Sequence, residues 1–398
     1  MKRLIKNNML ITGIVVGLIH FSSLMLRTPI ISMDAIGILP LPWEVFQIRD
    51  DSVEGQDISG SYFVWFKYAE LELLDLVTGE TTSLDNFMGC SDASAPEQVK
   101  IEGDWLATSF KCYAINEVRY QTHVINVVTA ETFLLEPNQP DPTQPYSWYP
   151  DINQGRVVWV QMGECTIGDV FMMDLTTREV TNITTGTTPT IKINVQLGGN
   201  WVVWDAIDQT TGDIVLYLHN LIEGSFTTIH EGERAHWPVF AGDKLFWAEY
   251  DANSQQTTIW SYDLVTQEMM PFAPTTAQHF LFDANGRWLL YAEGRHPHPA
   301  PPPLDIPTSL ISGWPCQSSR SAYGLDTILA YDLLTGHSYT VYENPQALDL
   351  YHVRIDDNTA VWFEWGGPLS NDTRRVYGSH LILQQQFLPL IRHRGAKP

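Results

Sequence analysis

Gly242-Asp-Lys-Leu-Phe-Trp247, a loop, and then Ile259-Trp-Ser-Tyr-Asp263-Leu-Val-Thr266 form the stretch that decides the fold. Gly beside Asp supplies turn conformations that other residues resist. A nearly continuous apolar run ending in Trp suits a strand covered on both faces. The Asp-Leu pair closing the second run suits a turn, because the Asp carboxylate can accept from turn amides.

The same order recurs outward in both directions. It reads Gly199-Asn-Trp-Val-Val-Trp204 with Ile214-Val-Leu-Tyr-Leu-His-Asn220-Leu, and Gly155-Arg-Val-Val-Trp159 with Val170-Phe-Met-Met-Asp174-Leu. Further out stand Gly60-Ser-Tyr-Phe-Val-Trp65 with Leu71-Glu-Leu-Leu-Asp75-Leu, and Gly286-Arg-Trp-Leu-Leu-Tyr291 with Ile328-Leu-Ala-Tyr-Asp332-Leu. Gly103-Asp-Trp-Leu-Ala-Thr108 and Asn358-Thr-Ala-Val-Trp362 open two degenerate copies. The aligned positions 65, 108, 159, 204, 247, 291 and 362 are spaced 43, 51, 45, 43, 44 and 71 residues apart. A period of roughly 40–45 residues with four short strands per unit predicts a propeller, since helical repeats would carry a 3.6-residue periodicity. The expectation is all-β: one seven-bladed β-propeller over residues 40–391, with Pro40–Ile58 giving the inner strand of the first blade. The segments Gln98-Val-Lys-Ile-Glu102, Val195-Gln-Leu197, Pro238-Val-Phe240 and Leu281-Phe-Asp283 read as inner strands of later blades.

These repeats resemble the exported TolB-type, WD40-like β-propeller repeats of bacteria, which the strands Ile259–Leu264 and Ile328–Leu333 match best. Asp283-Ala-Asn-Gly286 stands nearest to the Ser-Pro-Asp-Gly turn of that family. The resemblance implies a single closed ring with loops on one face.

Composition agrees with an exported β protein. The 398 residues carry 23 Lys+Arg against 46 Asp+Glu, a formal charge of -23, which excludes a polyanion partner such as nucleic acid. Trp 14, Tyr 16, Phe 16, Pro 24 and Gly 27 favour short strands and turns. Lys2, Arg3 and Lys6 before the apolar run Met9–Leu26 predict a leader helix over residues 1–35, as a cleaved signal peptide or a membrane anchor. Either form places the bulk of the chain outside the cytoplasm, with contact to membrane only through that segment. The four cysteines suit an oxidising compartment. Loop positions favour the pairs Cys90–Cys112 and Cys165–Cys316. The second needs the Pro-rich insert 294–324 of the sixth blade to reach across the channel as a lid. The apolar run Phe387–Ile391 reads as the last outer strand, followed by a basic tail over 392–398.

Candidate binding residues lie on the loop face. Glu249, Glu293 and Glu364 follow the aligned strand position by two residues and could form a partial acidic rim. Trp314 sits in the insert, and the aromatic stretches Tyr146–Pro150, Trp237-Pro238 and Trp365 could add contact surface or pack between blades. His296 and His298 are the metal candidates. Asn182-Ile-Thr184 has the pattern of a glycosylation site. No nucleophile elbow, zinc-protease motif or phosphate loop occurs, and no cofactor is expected. The reading is an exported monomeric propeller that binds a protein, peptide or glycan without catalysis; the alternative is a polysaccharide hydrolase or lyase.

Overall fold

The computed structural model describes residues 43–49, 55–67, 70–84, 98–114, 117–135, 146–162, 168–185, 190–207, 214–232, 235–251, 256–273, 278–294, 321–322, 327–343, 349–365 and 374–381. Every regular element among them is a strand, arranged in seven antiparallel sheets. Blade 1 runs from its innermost strand Gln56–Ser59 through Tyr62–Lys67 and Glu70–Asp75 to Thr81–Ser83. Blade 2 runs from Gln98–Glu102 to Thr132–Leu134, blade 3 from Tyr146–Asn153 to Val180–Asn182, and blade 4 from Ile191–Gly198 to Ser225–Gly232. Blade 5 runs from Ala235–Ala241 to Met269–Ala273, and blade 6 from Gln278–Ala284 to His337–Glu343. Each innermost strand touches the next, and that of blade 7, Asp349–Asp356, returns to blade 1, so the ring closes.

The recurring Trp performs the packing expected of it. Trp65, Trp159, Trp204, Trp247 and Trp362 are fully buried, as is Tyr291, each inside an apolar cluster between neighbouring blades. The Asp-Leu turns are equally regular. Asp75 Oδ1 accepts from the amides of Val77 (2.8 Å) and Thr78 (3.3 Å), and Asp263 Oδ1 from Val265 (3.0 Å) and Thr266 (2.9 Å). Asn126 and Asn220 replace Asp in blades 2 and 4 and accept the same pair of amides. The residue after the Asp or Asn ties this turn to the inner hairpin. Leu76 N donates to Ser61 O at 2.7 Å and Leu264 N to Asp243 O at 2.9 Å. Both turns of every such blade therefore lie on one face of the ring, opposite the longer loops.

Closure differs from the sequence expectation in two respects. The first inner strand begins only at Gln56, and Trp43–Arg49 crosses to the far side of the seam. There it pairs with Arg374–Leu381 as the outermost strand of blade 7. The outer position that the sequence reading gives to Phe387–Ile391 is thus taken by the N-terminal strand. A chain that seals its ring by joining its two ends in one sheet removes two exposed strand edges. The leader, the tail 392–398 and most of the insert lie outside the described residues. The end of the insert is described: Ser321–Ala322 pairs with Leu350 and Tyr351 on the free edge of the innermost strand of blade 7, at the loop-face mouth of the channel.

Candidate functional site

A charged girdle lines the axial channel, and its placement follows from strand irregularities. In blades 3 to 7 the innermost strand carries a bulge, after Trp148, Ile193, His236, Leu281 and Tyr351. Tyr149, Asn194 and Trp237 take positive φ there, between 51° and 56°. A bulge re-aims the side chains that follow it. The next paired residues are Asp151, Gln196, Val239, Asp283 and Arg354. Asp57 and Lys100 hold the equivalent positions in blades 1 and 2, opposite Val64 and Ala107.

From blade 6 round to blade 3 the girdle alternates in sign: Asp283, Arg354, Asp57, Lys100, Asp151. Asp57 Oδ1 lies 3.6 Å from Arg354 Nε, and Asp151 Oδ1 lies 3.6 Å from Lys100 Nζ. The second oxygen of each aspartate reaches the following blade. Asp57 accepts from Ile101 N (2.9 Å), Asp151 from Leu197 N (2.7 Å) and Asp283 from Ile355 N (3.0 Å). Burial pushes Asp57 up to about 6, against the pull of Lys100 and Arg354, and raises Asp151 for the same reason.

A second set of links lies one turn outward. Gly60 N donates to Asp356 Oδ2 (2.5 Å), Gly103 N to Ser59 Oγ (3.0 Å) and Gly199 N to Asn153 Oδ1 (3.0 Å). Gly60 has φ of 55°, which a side chain would strain. Together the girdle residues other than Arg354 and these turns bound a cavity of about 630 Å³ that opens on the turn face. Its walls carry six carboxylates (Asp57, Glu102, Asp151, Asp243, Asp283, Asp356) and one ammonium, Lys100. Such a mouth concentrates negative potential and favours a cationic group.

The sequence-predicted residues fall elsewhere. Glu364 is buried at the seam between blades 6 and 7, where its carboxylate accepts from the Tyr342 hydroxyl. Glu249 is partly exposed in blade 5, 3.8 Å from His230 Nε2 of blade 4. Glu293 lies on the second strand of blade 6, opposite Thr327. Two of the three acids are thus met by a group from the preceding blade. Trp314, His296, His298, Cys90, Cys165 and Cys316 lie outside the described residues. Cys112 is inside the second strand of blade 2 rather than after it, opposite Arg119. Tyr149 is buried in the core shared by blades 3 and 4, so packing claims it. The Asn182 amide donates to Asp169 Oδ2 (3.1 Å) and its oxygen accepts from Thr184 N (2.9 Å), leaving it poorly presented as a glycan acceptor. Among the described residues no three of His, Cys, Asp or Glu stand close enough to hold a metal ion.

Sequence reasoning missed the girdle, although a signal existed. Each girdle residue stands eight positions before the aligned strand residue, so this column reads Asp57, Lys100, Asp151, Gln196, Val239, Asp283, Arg354. None of the seven blades carries Trp or turn chemistry there, yet five of the seven residues are ionisable, inside strands that must be mostly buried.

No protein-family model matches the chain, and no curated protein sequence does. Solved structures do resemble it in fold. A prolyl endopeptidase is 13% identical with a TM-score of 0.54, covering 80% of this chain but 46% of that one. An oligogalacturonate lyase in complex with manganese is 12% identical with a TM-score of 0.52, covering 87% of this chain and 98% of that one. A TolB-like propeller from Agrobacterium tumefaciens is 15% identical with a TM-score of 0.40, covering 59% and 89%. At these identities the likeness concerns the propeller fold alone, and this chain spans less than half of the peptidase.

Proposed function

We propose that the protein is an exported, non-catalytic propeller that binds a basic peptide or protein segment through the axial mouth of its turn face. The observation that carries this reading is the mouth itself, in which six carboxylates face one ammonium. It narrows the protein, peptide or glycan ligand expected from sequence to one bearing a cation. It also moves the site from the loop face, whose loops are largely outside the described residues, to the opposite face. The export part rests on the leader sequence.

The second reading is a polysaccharide hydrolase or lyase, and the raised Asp57 and Asp151 favour it as potential proton donors. Against it, both carboxylates have their oxygens engaged by a neighbouring backbone amide and a cationic side chain. A polyuronate would also meet an acidic mouth.

Fluorescence anisotropy with a labelled hexa-arginine peptide tests the proposal. Binding that weakens with salt, and weakens at least fivefold in Glu102→Gln/Asp243→Asn, supports it. Equal binding of hexa-arginine and hexa-glutamate overturns it, as does polysaccharide cleavage that this double variant abolishes.

A further inference from the structure

The most exposed hydrophobic side chains of the described residues are not scattered. Val77, Val128, Ile222, Val265 and Leu334 are 82%, 61%, 75%, 74% and 77% exposed, and each occupies the same place in its blade. Each stands two residues after the Asp or Asn that caps the turn between the third and outer strands. Blade 3 has Thr176 there. Blade 7 has no such turn, because its outer strand comes from the N-terminus. All these turns project from the face on which the axial mouth opens. Burying such side chains is favourable, and among the described residues nothing covers them.

A carboxylate accompanies most of them. Glu80, Glu131 and Glu268 follow the aliphatic residue by three positions in blades 1, 2 and 5, and Glu223 follows it directly in blade 4. All four are exposed. Arg178 is the cation of this rim among the six turns, and it is engaged: it donates to Glu131 Oε1 at 2.7 Å and lies 3.9 Å from the Phe133 ring centre.

We propose that the turn face is one continuous docking surface, an aliphatic and acidic crown around an acidic mouth, and that its occupant is a protein segment bearing both aliphatic and basic side chains. Charge selects this occupant. A second copy of the chain would bring acidic crown against acidic crown, and an anionic bilayer would be repelled in the same way. The crown supplies apolar contact that the mouth lacks, so affinity depends on both halves of the partner. This rests on the reading given above for the sign of the partner's charge, but not for its apolar part.

Three labelled twelve-residue peptides, alternating Lys–Leu, Lys–Ser and Glu–Leu, are titrated into the full chain. They are also titrated into the crown variant Val77→Ser/Ile222→Ser/Val265→Ser/Leu334→Ser, whose exposed positions leave the fold intact. The expected result is that Lys–Leu binds the unmodified protein about tenfold more tightly than Lys–Ser, a gain no larger than that from burying about one aliphatic side chain. Glu–Leu does not bind, and the crown variant erases the Lys–Leu advantage while keeping Lys–Ser binding. Equal binding of Lys–Leu and Lys–Ser, or an advantage that survives in the crown variant, overturns the proposal. So does crown-dependent dimerisation in sedimentation, or crown-dependent binding to phosphatidylcholine vesicles. If the crown variant loses the advantage while Glu102→Gln/Asp243→Asn binds every peptide normally, the crown stands and the mouth reading falls.

Discussion

Replacing Asp57 with asparagine isolates the electrostatic cost of the girdle. The carboxyl is buried, and burial lifts its pKa from an ordinary 3.8 to about 6 despite Arg354 and Lys100 nearby. A folded pKa above the unfolded one means that the folded chain binds the proton more tightly. The stability this group contributes is therefore complete below pH 3.8 and is lost as pH rises through 6. The full difference is about 3 kcal/mol at 1.36 kcal/mol per unit, and about 2 kcal/mol of it falls between pH 4.5 and 7.5. Asparagine keeps the shape and the oxygen that accepts from Ile101 N, and it does not ionise. Urea unfolding of both proteins across that range is the assay. Asp57→Asn should gain on the unmodified protein by about 2 kcal/mol from pH 4.5 to 7.5. A gap that stays constant, or that widens in favour of the unmodified protein, would show that Arg354 and Lys100 outweigh burial and would refute the reasoning.

Four further substitutions probe the scaffold. His123 is buried against Phe110, neither of its ring nitrogens has a hydrogen-bond partner, and burial lowers its pKa to about 4. Its contribution is present above pH 6.5 and lost as pH falls through 4, so His123→Phe should shift the acid unfolding midpoint to lower pH by circular dichroism; an unchanged acid limb counts against this. Trp247→Ala empties a fully buried site between blades 4 and 5 and should cost about 3–5 kcal/mol in urea, whereas Val77→Ala should change stability by less than about 0.5 kcal/mol. Asp263 is held well below the usual carboxylate range by the Thr266 amide and Lys244, so Asp263→Ala should cost about 1–2 kcal/mol at neutral pH, with most of that cost absent in strong acid.

The blades were legible because their signals are local. A Trp that must be buried between sheets and an Asp that caps its own turn announce themselves within a few residues, and both recur at a fixed period. Closure was not legible in this way. Trp43–Arg49 meets Arg374–Leu381 only in space, and no repeat copy marks it as an outer strand. The girdle was hidden by the bulges, which break simple alternation and put Asp151 and Arg354 toward the channel where period-two counting would not. Glu249, Glu293 and Glu364 drew attention through their shared offset from the strand Trp. That offset returns a side chain to the face the Trp uses, and Glu364 is accordingly buried against Tyr342. The crown was visible in the sequence as Val77, Val265 and Leu334 after Asp-Leu. Its meaning depended on knowing that the fold leaves those side chains uncovered on the same face as the mouth.

Hydrogen–deuterium exchange of the full chain with and without the hexa-arginine peptide tests the axial-mouth reading most directly. The account predicts protection at the turn-side ends of the innermost strands, around residues 57–60, 100–103, 151–155, 196–200 and 355–357, spread over several blades at once. Protection confined to the opposite strand ends, around 146–148, 191–193 and 349–351, would place the ligand on the loop face and contradict it.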